Sequence, residues 1–314
     1  MKKKTTKILA VILALILLVD IGASFYFYNI AVARSSKDFL EGNPDLEVSS
    51  EMTTTYEGRE WIGKTAFEDV TITSRDDLKL KGYYLEAKQP TLKTVIIAHG
   101  YSGKAKDMGT YAKFYHEKLG FNVLLPDARG HGESEGDYIG FGWDERKDYL
   151  QWIDYVLKLN GEQSEIILHG VSMGGATVLM TSGEELPDQI KGIVSDCAYT
   201  SAEDVLSYQL SRMYHLPEFP LLQSTSLLTK IRAGYSFEEA SALKQVGRTD
   251  KPILFIHGEA DTFVPVEMVR RLYEVTRSEK ELFLVANAEH GNAYDANQEG
   301  YEKTVTEFIG KHIR

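Results

Sequence analysis

Cysteine is almost absent. Cys197 stands alone among 314 residues, which excludes an intrachain disulfide and a cysteine-rich metal site. It follows an apolar run and reads as a small buried side chain. No cysteine stands behind the N-terminal apolar segment to carry a lipoprotein anchor. The chain also lacks paired metal-ligand spacings, a Rossmann glycine fingerprint, a P-loop and internal repeats, so nothing points to a nucleotide or a resident metal. Positive charge is the minority sign, with 35 Lys and Arg against 46 Asp and Glu. The first 33 residues hold four Lys and one Asp, so the total of −11 less their +3 leaves −14 on the remainder. So acidic a body excludes nucleic acid as a partner and favours solubility.

Only one long apolar run is present, and it lies at the start. Lys2, Lys3, Lys4 and Lys7 precede Ile8–Val19, which is wholly apolar; after Asp20 the run resumes as Ile21–Tyr28 and fades by Ala33. Two readings fit. An uncleaved anchor would use Ile8 to Ala33, enough to cross a bilayer. Its Phe25-Tyr26-Phe27-Tyr28 cluster would sit at the membrane–water interface. A cleaved signal peptide would instead use Ala31-Val32-Ala33 as its small-residue site. The run exceeds the usual signal length, which favours the anchor, although Asp20 is costly in a span. Either way the basic start keeps the N-terminus in the cytoplasm. A single-pass cell-membrane protein with an extracytoplasmic body is expected, or a secreted one if the signal is cut. Residues 1–33 are thus the anchor. Residues 34–66 are a polar stalk, Arg34–Thr55, followed by a docking segment with a short helix at Glu57–Ile62.

Residues 67–314 read as one catalytic domain of the α/β class. Asp69–Leu85 alternates about a Ser-Arg-Asp-Asp turn and predicts an antiparallel hairpin. Thr94–Ala98, Val123–Leu125, Ile166–Leu168, Ile190–Val194, Lys251–Ile256 and Glu281–Val285 are short apolar runs, as strands of a parallel sheet should be. Helical patterns at Tyr111–Leu119, Trp143–Leu159, Val266–Thr276 and Tyr301–Ile313 alternate with them. The stretch at about 199–250 breaks that rhythm, with helical patterning at Val205–Met213 and Leu227–Ile231, a break at Pro217 and Pro220, and a capping box at Ser236–Glu239. It reads as a helical cap.

The chemistry is carried by Gly170-Val171-Ser172-Met173-Gly174, a G-x-S-x-G between a strand and a helix. That context presents serine at the apex of a strained turn, where any side chain at 170 or 174 would collide with its neighbours. A serine nucleophile needs a base, and the base an orienting acid. Asp261 and His290 follow in that order, each just past the C-terminal end of a strand, where open parallel sheets bind ligands. Asp196, after the preceding strand, is the rival acid. Cys197, His99, Asp127 and Arg129 read as structural.

These pieces, together with His99-Gly100-Tyr101-Ser102-Gly103, Asp127–Ser134, His257–Pro265 and Glu289-His290-Gly291, resemble the α/β-hydrolase superfamily. The likeness is to a bacterial membrane-associated or secreted branch near the serine aminopeptidase and monoacylglycerol lipase group, over residues 67–313. The superfamily commonly has glycine where Asp77 stands, and Asp tolerates the same left-handed backbone. The resemblance implies a mostly parallel sheet with an N-terminal antiparallel hairpin, helices on both faces and a cap over the serine. It implies a Ser172–His290–Asp261 triad and an oxyanion hole from the backbone N–H groups of Tyr101 and Met173. No cofactor or metal enters that scheme. The expected activity is hydrolysis of small-molecule carboxylic esters of short to medium acyl length. The alternatives are a peptidase or amidase, with Glu203, Asp204 and Glu218 as candidate ammonium holders, and an inactive extracytoplasmic binding scaffold.

Overall fold

The computed structural model describes residues 2–40, 42–43 and 53–313; the centre of the expected stalk, 44–52, lies outside them. Eight strands build one sheet: β1 (Glu68–Thr73), β2 (Lys79–Leu85), β3 (Lys93–Ala98), β4 (Asn122–Pro126), β5 (Glu165–Val171), β6 (Ile190–Asp196), β7 (Ile253–Gly258) and β8 (Lys280–Val285). Their order is β1-β2-β4-β3-β5-β6-β7-β8. The β1–β2 and β2–β4 pairs are antiparallel, and every pair from β4 onward is parallel. The first hairpin pairs Ile72 with Leu80 and turns through Asp77 at φ 66°, the left-handed conformation expected there.

Around the sheet lie α1 (Lys2–Phe27), α2 (Thr53–Lys64), α3 (Gly109–Lys113), α4 (Glu145–Asn160), α5 (Met173–Ser182), α6 (Ala202–Tyr214), α7 (Leu221–Ala233), α8 (Ala242–Val246), α9 (Val266–Val275), α10 (Ala293–Ala296) and α11 (Gln298–His312). Alternation along each strand divides the core. Ile96 and Leu168 point to the side of Trp152, while Ile97 and Ile167 point to the side of Tyr301 and Phe308. All seven are buried, each Ile, Leu or Phe burial contributing about 1.5–3 kcal/mol. The capping box forms, with Ser236 N–H donating to Glu239 Oε2 at 2.7 Å, but it closes a turn and opens no helix there. Helix α8 begins only at Ala242, with Ser241 as its own N-cap.

The N-terminal segment does not end at the domain surface. After α1 a π-helical turn, Tyr28–Val32, carries the chain onto the body. Val32 is fully buried, its carbonyl accepting from Ile139 N–H at 2.7 Å, and Arg34 N–H donates to Asp137 O at 2.8 Å. The Arg34 guanidinium donates to the carbonyls of Ser134 and Gly132 at 2.7 and 2.9 Å.

Candidate active site

Strand β5 and helix α5 set Ser172 at their junction with φ 57° and ψ −117°, a conformation that stores strain for any non-glycine residue. Tight neighbours hold it there. A Cβ on Gly170 would meet the carbonyl of Gly174, and one on Gly174 the carbonyl of Ala98 at the end of β3. A Cβ on Gly175 would lie 2.7 Å from the carbonyl of Asp196. Ser172 N–H donates to that same Asp196 carbonyl at 2.9 Å, which ties the turn to β6. Met173 opens α5, so its N–H has no acceptor within the helix and lies at the positive end of the helix dipole.

His290, in the loop after β8, reaches Ser172 Oγ with Nε2 at 2.8 Å and Asp261 Oδ2 with Nδ1 at 2.8 Å. Asp261, in the loop after β7, is further held by the N–H groups of Phe263 and Val264 on Oδ1, at 2.9 and 2.8 Å. Burial pushes its carboxyl up. The charge of His290 and hydrogen bonds from His257 and His290 outweigh that and hold it well below the usual carboxylate range. His257, four residues before Asp261, shares its Nε2 between Val264 O at 2.8 Å and Asp261 Oδ2 at 3.2 Å. Its role is not legible from its own position in the sequence; the H-G-x-x-D spacing at the end of β7 is the available signal.

Asp196 is placed differently. Its Oδ2 accepts from Tyr301 OH at 3.0 Å, its Oδ1 has no partner, and no hydrogen bond joins it to His290. Burial raises its carboxyl to about 6. The thiol of Cys197 is likewise pushed well up by burial. Ligand atoms of Cys197, Asp261 and His290 lie within 4.8 Å of one another, but a protonated thiol and a pair already bonded to each other are a poor cation site.

The Tyr101 loop is fixed from behind. His131 Nε2 bonds Tyr101 O at 2.6 Å. His99 Nε2 accepts from Ala128 N–H at 3.0 Å, so its proton is on Nδ1, which donates to Gly100 O at 2.8 Å. Burial holds His99 down to about 3, neutral at ordinary pH. Asp127 accepts from the N–H groups of Ala105 and Glu133, and Arg129 forks onto Asp148 and Asp76, so both are loop fasteners.

Above Ser172 opens a crevice of about 870 Å³, its mouth included. Its walls come from the cap (Leu206, Met213, Leu222), from Phe141 and Tyr199, and from the N-terminal segment (Phe27, Ile30, Ala31). Among the described residues, no charged side chain lines it. Asp204 pairs with Arg271 at 3.1 Å and Glu218 accepts from Ser207 at 2.6 Å; neither they nor Glu203 line the crevice. The contribution of residues 27–31 was not legible as a pocket wall, because an apolar run has the same pattern whether it meets lipid or protein. Tyr101 OH donates to Ala31 O at 2.6 Å, joining this segment to the loop beside the serine.

The strand order, the strand–serine–helix junction and the two loops that converge on it define an α/β-hydrolase. The model of the prolyl oligopeptidase family matches residues 110–314, and the chain belongs to that family. Among curated proteins it is 35% identical to the uncharacterized YqkD of Bacillus subtilis over 254 residues, 81% of this chain and 82% of that one. It is 24% identical over 249 residues to an uncharacterized membrane protein of Saccharomyces cerevisiae, 77% of this chain and 79% of that one. Among solved structures it is similar to the esterase Pf2001 of Pyrococcus furiosus, with a TM-score of 0.64 and 27% identity over 79% of this chain and 94% of that one.

Proposed function

We propose that the chain is a membrane-anchored serine hydrolase that cleaves carboxylic esters. The observation that carries this reading is the Ser172–His290–Asp261 hydrogen-bond chain at the floor of a crevice lined mainly by apolar side chains. His290 Nε2 takes the proton as Ser172 Oγ attacks the ester carbonyl. Asp261 keeps the His290 proton on Nδ1 and stabilises the imidazolium. The N–H groups of Met173 and Tyr101 receive the oxyanion, each worth about 10²–10³ in rate. The leaving alcohol takes the proton from His290, and water frees the acyl group by the same route. An apolar wall gains up to about 0.8 kcal/mol per acyl CH₂ taken from water, and gains nothing from an ammonium group.

The family match supports a second reading, amide or peptide hydrolysis by the same triad. Among the described residues no carboxylate lines the crevice to hold a substrate ammonium, which ranks it second. Turnover of p-nitrophenyl butyrate against Ala- and Pro-arylamides separates the two: faster ester turnover is expected, and the reverse ranking makes the peptidase reading the right one. No turnover of either would favour an inactive scaffold.

Anchoring rests on Lys4–Val32, which among the described residues is the one helix long and apolar enough to cross a bilayer. The buried Val32 and the Arg34 contacts support an uncleaved segment, because cutting at Ala33 would remove a piece of the folded body. The four N-terminal lysines support an extracytoplasmic body. Protease added to spheroplasts should cut the chain near residues 34–55, and full protection would contradict that side.

A further inference from the structure

We propose that α7 and the last third of α1 form one membrane-embedded surface, and that the crevice takes the acyl chain of a lipid ester directly from the bilayer. This rests on the ester-hydrolase reading and names its substrate class.

The first argument is length. A hydrocarbon core of about 30 Å needs about 20 helical residues. Every side chain of Ile8–Val19 is exposed, so 12 residues, about 18 Å of helix, stand clear of the body. From Asp20 onward α1 lies along α7. Asp20 Oδ2 accepts from Ser224 Oγ at 2.6 Å, and Arg232 lies 5.3 Å from the ring centres of Phe25 and Tyr28. These contacts advance together along both chains, so the two helices run in the same direction. A bilayer crossed by α1 must take in about eight residues beyond Val19, and those are the ones flanked by α7. The cap helix therefore enters the lipid with the anchor.

The surface chemistry matches that depth. On α7, Leu227 and Ile231 share one face at i, i+4 and are 62% and 74% exposed. Next to them Ile21, Phe25 and Tyr26 of α1 are exposed as well. The basic residues of α7, Lys230 and Arg232, are confined to its last turn, where lipid headgroups would meet them. Asp20, a liability for an isolated span, is satisfied by Ser224, and the pair pins cap to anchor at lipid depth.

The crevice is walled by both helices, Phe27, Ile30 and Ala31 from one segment and Leu221, Leu222 and Thr225 from the other. An acyl chain entering along this shared wall reaches Ser172 without crossing water. Leaving lipid for an apolar wall gains little free energy. Selection then comes from presentation at the membrane, not from chain length in solution.

The test uses the full-length protein in phosphatidylcholine–phosphatidylglycerol nanodiscs. Leu227→Cys, labelled with bimane, should be quenched by lipids brominated in the acyl chain and not by aqueous iodide. Quenching by iodide alone overturns the proposal. Leu227→Asp with Ile231→Asp should lower kcat/KM on a long-chain diacylglycerol held in the disc by more than about tenfold, the cost of placing charge in hydrocarbon. Turnover of dissolved p-nitrophenyl butyrate should stay within about twofold. An equal loss on both substrates, or none on the lipid, overturns the lipid assignment while the ester reading stands. No turnover of either ester by the unmodified protein overturns the ester reading, and this assignment with it.

Discussion

Replacing Asp196 by Asn separates the two acids that lie near His290. Asp196 is fully buried, has one oxygen without a partner, and titrates at about 6 against an ordinary 3.8, chiefly because burial disfavours its charge. That gap, at about 1.4 kcal/mol per pH unit, comes to about 3 kcal/mol. The sign follows from proton binding. Between pH 3.8 and about 6 the folded state holds a proton on Asp196 that the unfolded state has lost, so this group's contribution falls as pH rises. The penalty is complete above about 6 and absent below 3.8. Urea unfolding of both proteins in the same detergent, at intervals from pH 4 to pH 8, cancels the groups they share. The variant minus wild-type stability should climb by about 2.5 kcal/mol across that range, part of the penalty being present already at pH 4. Its absolute value at pH 8 will be smaller, since an amide in that position leaves a buried donor unpaired. Ester turnover at pH 8 should remain within about threefold, because His290 is oriented by Asp261. A flat stability difference would refute the electrostatic reasoning, and loss of turnover by several orders of magnitude would make Asp196 the working acid.

The complementary change, Asp261→Asn, should lower kcat by roughly four orders of magnitude with little change in KM, since it lets His290 adopt the wrong tautomer; a loss below tenfold would remove Asp261 from the mechanism. Gly174→Ala drives a methyl into the Ala98 carbonyl, which a rigid strand end cannot yield, and should cost more than about 3 kcal/mol in denaturant unfolding; an unchanged midpoint would mean that the elbow is looser than described. Asp20→Leu removes the hydrogen bond to Ser224 and leaves that hydroxyl unpaired, so thermal unfolding in detergent should shift down by the equivalent of about 1 kcal/mol, and an upward shift would contradict the pinning role.

Much of the framework is readable locally because each signal is local. Thr94–Ala98 reads as a strand from its apolar run, and β3 occupies Lys93–Ala98. Gly170 and Gly174 read as steric necessities, and the carbonyls of Gly174 and Ala98 are the atoms that require them. Ser172, His290 and Asp261 lie in one hydrogen-bonded row, in keeping with their places after β5, β8 and β7. The illegible parts are pairings between distant residues. Nothing near Asp20 announces Ser224, 204 positions on, and nothing near Tyr101 announces Ala31, 70 positions back. The capping box at Ser236 is a correct local signal that tertiary packing ends after one turn, with Phe237 sunk in the core. Periodicity also cannot tell lipid from protein, which is why Phe27 and Ile30 read as anchor alone and not also as pocket wall.

The central claim is that Ser172 is a nucleophile activated by His290. Incubating the full-length protein with a fluorophosphonate and mapping the adduct by peptide mass spectrometry tests it most directly. One phosphonyl group on Ser172 is expected, lost in Ser172→Ala and slowed by at least about a thousandfold in His290→Ala. An unlabelled protein, or an adduct on another serine that persists in Ser172→Ala, would contradict the account.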